Sequence, residues 1–336
     1  MVFMSFRIKI LILTGIVFSL VSCKNREQKA IRVNRADLPD IQVHIKRYGK
    51  ALFEIDTAHF PEGLTKIQPE FSYFLDADLN DTTNIHQLYS FVADTQVQRL
   101  YRKTMEVFPD LNRLENELSD AFSRYKYFFP KNKIPKIYSY VSDVYYERPV
   151  WLKDSVLVIA LDVYLGGNYY LYPYLGLPRY KIRCMAPPYI APDVMKALYF
   201  GNIWANPKMK TLLDRMIAGG KMLYYLDAVL PEVPDTVKLC YTKKELDWAV
   251  ENEKNIWAFL VHDELLYSSD FSTQSNLIND GPFTKGFSKE SPSRLGIFLG
   301  WQIVKDFMAN HPELSLTQLM KTDDSQYILQ QSRYKP

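Results

Sequence analysis

The sequence predicts an α+β fold, mainly helical, in which strands and helices alternate early and helices alone follow from residue 192. Three observations predict it. β-Branched or alternating runs occur only before residue 162. Long segments with a helical apolar stripe dominate afterwards. No βαβ pattern recurs and no internal repeat is visible. The 336 residues are 47% hydrophobic and 24% charged, a globular composition. A chain of this length buries most of its surface and needs no staple to fold.

The elements follow in order. Arg7 and Lys9 precede the apolar run 10–21, and Ser22 and Cys23 close it. A basic start, a run too short to span a bilayer comfortably and a small residue before a cut make residues 1–22 a secretory signal. The ending Leu20-Val21-Ser22-Cys23 resembles the lipobox of bacterial lipoproteins. That resemblance implies a diacylglycerol on the Cys23 thiol and cleavage that leaves Cys23 as the new N-terminus. Each buried CH₂ of such chains adds ~0.8 kcal/mol of anchoring. Residues 23–34, polar from Lys24 to Lys29, read as a lipidated tether. Residues 35–336 read as a single globular body, and no further segment reaches ~18 consecutive apolar residues.

Within the body, alternation predicts a strand over 43–48. Leu88, Phe91, Val92, Leu100 and Met105 predict one helix over 85–108, and a second follows over 110–129, stopped by Pro130. Strands return at 136–141 and 155–161, the latter a continuous apolar run that belongs inside a sheet. A loop rich in Gly, Pro and Tyr covers 166–188. Helices are predicted over 192–204, 208–230, 243–267, 292–310 and 314–321.

The chemistry-bearing residues exclude more than they assign. Of 41 basic and 38 acidic residues, Arg7 and Lys9 fall in the leader, so the remainder is near neutral and nucleic acid is not an expected partner. The histidines are His44, His59, His86, His262 and His311; none are paired at i and i+4, the spacing that aims two ligands from one helix face at zinc. His262-Asp263-Glu264 fans around a helix and does not converge. Gly286-Phe-Ser-Lys-Glu290 lacks the second glycine of a nucleophile elbow. Glu251 and Glu253 stand two apart on a helix and do not face each other. Asp323-Asp324 reads as a solvated turn. We expect no metal and no cofactor beyond the covalent lipid on Cys23.

Three further features have two readings. Cys184 and Cys240 can pair in an oxidising compartment; in a chain that needs no staple, two buried free thiols are the expectation. Tyr164, Tyr169, Tyr170, Tyr172 and Tyr174, with Tyr180 and Tyr189 nearby, make segment 164–189 either a stacking platform for a glycan or peptide or a set of rings that cover an irregular loop. Packing is the expected use. Gly219-Gly220 inside a helix costs about 2 kcal/mol relative to two alanines. Either tight helix packing or a cleft holding a bound segment offsets that cost. In the cleft reading, Gly219, Gly220, Lys221, Tyr224 and Asp227 face the occupant.

Leu161-Asp-Val-Tyr-Leu-Gly166, the stretch Gly219 to Asp227, Leu230-Pro231 and Glu253-Lys-Asn-Ile-Trp257 resemble the gliding-motility lipoprotein GldB family of Bacteroidetes. So do Gly281-Pro-Phe-Thr284, Ser291-Pro-Ser-Arg-Leu-Gly296, Gly300-Trp-Gln-Ile-Val304 and Tyr334-Lys-Pro336. The resemblance implies a cell-envelope lipoprotein that supports gliding and the associated type IX secretion apparatus through other envelope proteins. It implies no molecular activity. Lys24 stands where an enterobacterial inner-membrane retention signal carries Asp, which favours a periplasm-facing anchor in the outer membrane.

More distantly, Thr211-Leu-Leu213, the stretch Gly219 to Tyr224 and the stretch Gly296 to Phe307 are similar to late helices of zincin-type metallopeptidases. Those enzymes carry His-Glu-x-x-His on the earlier helix and a later glutamate. Here the earlier helix, Asp193 to Phe200, has no histidine, and the glutamate position falls on Gly219. The resemblance implies a zincin-like scaffold without its metal. The expected function is therefore non-enzymatic binding in the envelope. An envelope hydrolase, or a glycan-binding lipoprotein using segment 164–189, is the alternative.

Overall fold

The computed structural model describes residue 31, residues 33–205 and residues 207–336. The expected signal 1–22, Cys23 and most of the expected 23–34 tether lie outside the described residues. The architecture is α+β and mainly helical, as the sequence predicts.

Strand β1 (Ile45–Arg47) is a short form of the predicted run and passes directly into helix α1 (Tyr48–Phe53). Pro61 opens α2 (Phe60–Ile67), where its missing N–H is no loss. The predicted helix over 85–108 is two helices, α3 (Thr82–Ala93) and α4 (Thr95–Val107). Asp94 divides them: its carboxylate accepts the N–H groups of Gln96 (2.8 Å) and Val97 (2.9 Å) and so caps a new helix. Helix α5 (Asn112–Phe128) then turns Leu118, Phe122 and Tyr125 to the core.

The sheet has four strands in the order β1-β2-β4-β3. β2 (Lys136–Tyr140) runs parallel to β1 and, on its other side, parallel to β4 (Val156–Ala160). β3 (Val150–Lys153) pairs antiparallel with β4 across a tight turn. Every residue of β4 is buried, which its continuous apolar run requires. β3 escapes sequence reading because Asp154 and Ser155, at φ 49° and 65°, make its turn without the usual glycine.

The predicted loop 166–188 contains two single turns, α6 (Leu171–Tyr174) and α7 (Arg179–Ile182). Helix α8 (Ile190–Leu198) continues as a π-helical turn over Tyr199–Ile203. The Thr211–Asp214 capping box starts α9 (Leu212–Val229), and α10 (Asp235–Leu239) follows. The predicted helix 243–267 divides at Asn252 into α11 (Lys243–Glu251) and α12 (Glu253–His262). Then come α13 (Phe271–Ile278), α14 (Leu295–Asn310), α15 (Leu316–Lys321) and α16 (Ser325–Ser332). In space, α8 lies between the sheet and α9, and α9 packs along α14, which α16 covers.

One expectation is corrected. Cys184 and Cys240 are joined by a disulfide, with Cα atoms 6.0 Å apart. Cys184 follows α7, and Cys240 takes a left-handed conformation (φ 54°) at the end of α10, which brings the two together. Chain length bears on the stability of the whole core. The bridge acts locally, fastening the Tyr-rich segment to the helical half. Closing a loop of 56 residues contributes about 4 kcal/mol in the chain-entropy model.

Candidate functional site

Three of the five residues singled out on α9, Gly219, Gly220 and Asp227, lie at its crossing with α14. A Cβ on Gly220 would overlap the carbonyl of Gly300 and stand 2.8 Å from the Trp301 nitrogen. A Cβ on Gly219 would overlap the end of the Ile297 side chain. Backbone-to-backbone approach of α14 therefore fills the face of these glycines, and no cleft opens there. About two turns on, Asp227 accepts hydrogen bonds from the Trp301 indole (2.7 Å) and from Lys238 (2.8 Å). Lys305 lies 3.2 Å over the Trp301 ring. Burial raises the Asp227 pKa, and Lys305 and Lys238 oppose the rise. Tyr224 is buried, and burial, with Asp227 nearby, pushes its hydroxyl up to about 12.

Lys221 donates to the Thr322 carbonyl. Burial brings its pKa down to about 8, with Asp323 pulling the other way. The space beside it, between Tyr199, Met209 and Met320, measures ≈ 20 Å³, room for about one water. On α8, the helix that the zincin resemblance compares with the histidine-bearing one, Asp193 accepts from Tyr164 (2.8 Å) and from Lys196 (3.1 Å).

The remaining sequence candidates stay apart. His262 is exposed and pairs with Asp263 (2.7 Å); His59 pairs with Asp56 (3.0 Å). Asp324 caps α16 through the N–H of Tyr327. Among the described residues no group of three His, Cys, Asp or Glu is placed to share a metal ion.

The stretches quoted for family resemblance contact one another. Asp227 meets Trp301. Glu253 accepts from the Tyr334 hydroxyl (2.7 Å), whose ring sits edge-on to Trp257. Thr284 donates to the Pro292 carbonyl (2.8 Å). The first two of these pairs join parts of the chain more than seventy residues apart.

Sequence reasoning missed Asp162, which is wholly buried just beyond the C-terminal end of β4. It accepts from the N–H (2.9 Å) and hydroxyl (2.9 Å) of Ser142 and from the N–H of Val144 (2.7 Å). Burial pushes its pKa up to about 6 against those bonds. They hold Asp143 and Val144 at φ 58°, a left-handed pair that a β-branched residue adopts only at a cost. The available signal was an aspartate set directly after a fully apolar strand.

From Asp162 the chain enters the Tyr-rich segment, whose rings divide by function. Tyr172 is buried; its hydroxyl donates to the Asp162 carbonyl (2.8 Å) and accepts from the Leu165 N–H (2.9 Å). Tyr164 and Tyr169 are also buried, whereas Tyr170 and Tyr174 are 60% and 80% exposed. Gly166, at φ 106°, turns the chain and donates to the Met185 carbonyl (2.8 Å). Between this turn and α4 lies an open cleft of ≈ 730 Å³ lined by Arg99, Lys103 and residues 165–170.

The family described as gliding motility protein GldB matches residues 28–336 of the chain. No curated protein and no solved structure matches it.

Proposed function

The chain belongs to the GldB gliding motility family, a family of gliding-related envelope lipoproteins, and from that premise we propose that it works without catalysis, by binding other envelope proteins of the gliding and secretion apparatus. It is held to the membrane by lipid on Cys23, facing the periplasm, with the outer membrane favoured over the inner. The observation that carries this reading is the use made of the polar groups on α9. Asp227 is bonded to Trp301 and Lys238, and Lys221 to a backbone carbonyl. Groups that would bind or activate a substrate are engaged in holding helices together.

The experiment is crosslinking in intact cells followed by capture, comparing wild type with Cys23→Ala. Wild-type protein should label with palmitate and carry envelope partners; the variant should remain an unlabelled precursor without them. Palmitate on the variant would remove the lipid claim. The purified protein should cut no peptide library and should melt at the same temperature with and without EDTA. About one zinc per chain with chelator-sensitive melting would overturn the non-enzymatic reading.

A further inference from the structure

We propose that the cleft between α4 and residues 165–170 is a binding site for an acidic saccharide, a sugar chain carrying a carboxylate or phosphate. The site goes beyond protein docking and stands without it. Its volume of ≈ 730 Å³ suits a short oligosaccharide and falls in the range of small-ligand sites.

Three kinds of group converge there. Arg99 and Lys103 are one turn apart on α4 and face the same way. Lys103 is bonded to Glu106 (2.7 Å), whereas Arg99 has no ion-pair partner among the described residues. Its planar guanidinium suits two-point recognition of a carboxylate or phosphate. Tyr170, exposed and set edge-on to Tyr169 at 5.1 Å, offers an amphipathic ring to the apolar face of a sugar. Gly167 and Asn168 are exposed on the same wall, where backbone and amide groups are at hand for hydroxyls.

This wall is also fixed in advance. The Tyr172 hydroxyl, bonded to the Asp162 carbonyl and the Leu165 N–H, the Gly166–Met185 hydrogen bond and the Cys184–Cys240 disulfide hold its backbone. A wall already ordered loses little freedom when a ligand settles on it. The sequence offers the tyrosine wall as a stacking platform but hides the basic one, because Arg99 and Lys103 are more than sixty residues from Tyr170.

The test titrates the full-length lipoprotein in detergent micelles with trigalacturonate, with a phosphorylated maltotriose, with neutral maltotriose and with inorganic phosphate. At least one acidic trisaccharide should bind, at least tenfold more tightly than maltotriose, and binding should weaken with salt. Arg99→Glu should weaken it at least tenfold and Tyr170→Ala about fivefold. Both residues are exposed, so melting curves should match wild type; Arg99→Gln, with the same expected direction, serves if Arg99→Glu does not fold. Three results would overturn the proposal: no acidic trisaccharide binding at millimolar concentration, neutral maltotriose binding as well as the acidic ones, or inorganic phosphate competing equally while Tyr170→Ala binds as wild type does.

Discussion

At the crossing of α9 and α14, Gly220 and Gly300 bring two backbones into contact, and Asp227, Lys238 and Trp301 close their polar groups on one another. Beside residues 165–170, Gly166 turns the chain outward, Tyr172 anchors it from below, and Arg99 and Tyr170 are left to solvent. Both regions use glycine, aromatic rings and charge. In the first these groups have closed on partners inside the protein; in the second Arg99 and most of the Tyr170 ring face solvent. A glycine pair within a helix reports a neighbouring backbone, and a glycine at positive φ before exposed rings reports a surface held in shape.

The difference sets the size of what substitutions should do. The largest effect belongs to Asp227→Ala, which removes the carboxylate between Lys238, 4% exposed at its side chain, and Lys305. Unfolding in denaturant should show a loss of ~3–5 kcal/mol. A loss below ~1 kcal/mol would mean that the network is solvated and the crossing is not closed.

Next comes Gly220→Ala. Helix propensity alone would favour alanine by about 1 kcal/mol, but overlap with the Gly300 carbonyl should reverse the sign and cost a net ~1–3 kcal/mol. A variant that melts higher than wild type would show that the two helices part easily.

Asp162 sharpens the comparison at the edge between the regions. Its pKa stands near 6 in the folded protein against 3.8 for an ordinary aspartate. A raised folded-state pKa means that the stability contributed by its proton is fully present below about pH 3.8 and is lost as pH rises through 6. Between those values wild type should lose on the order of 2–3 kcal/mol relative to Asp162→Asn, measured as the difference between their stability-versus-pH curves. Parallel curves would place the carboxylate in water. At the open face, by contrast, Arg99→Glu should move stability by no more than ~0.5 kcal/mol.

The sequence made parts of this legible for physical reasons. The apolar run of β4 could only be an inner strand, and Gly219-Gly220 in a helix demanded a close neighbour. Helix breaks at Asp94 and Asn252 are hidden in the sequence because the apolar stripe continues across each; at Asp94 one capping carboxylate decides the break, and at Asn252 the side-chain amide turns back to the Trp248 carbonyl. The Cys184–Cys240 disulfide is not legible from chain length, because whole-chain stability says nothing about local fastening. Asp162 and the Arg99 cleft depend on contacts between residues far apart in sequence, which no spacing rule reports.

In the proposed function the polar groups of α9 serve the fold and not a reaction. Lys221, brought to about 8 by burial, is the group on that helix best suited to act as a base or nucleophile. The direct measurement is gliding speed in cells whose sole copy is Lys221→Met, set against the amount of folded protein in the envelope. The account predicts speed that follows protein amount, as in wild type. Full wild-type levels of Lys221→Met with gliding abolished would contradict it.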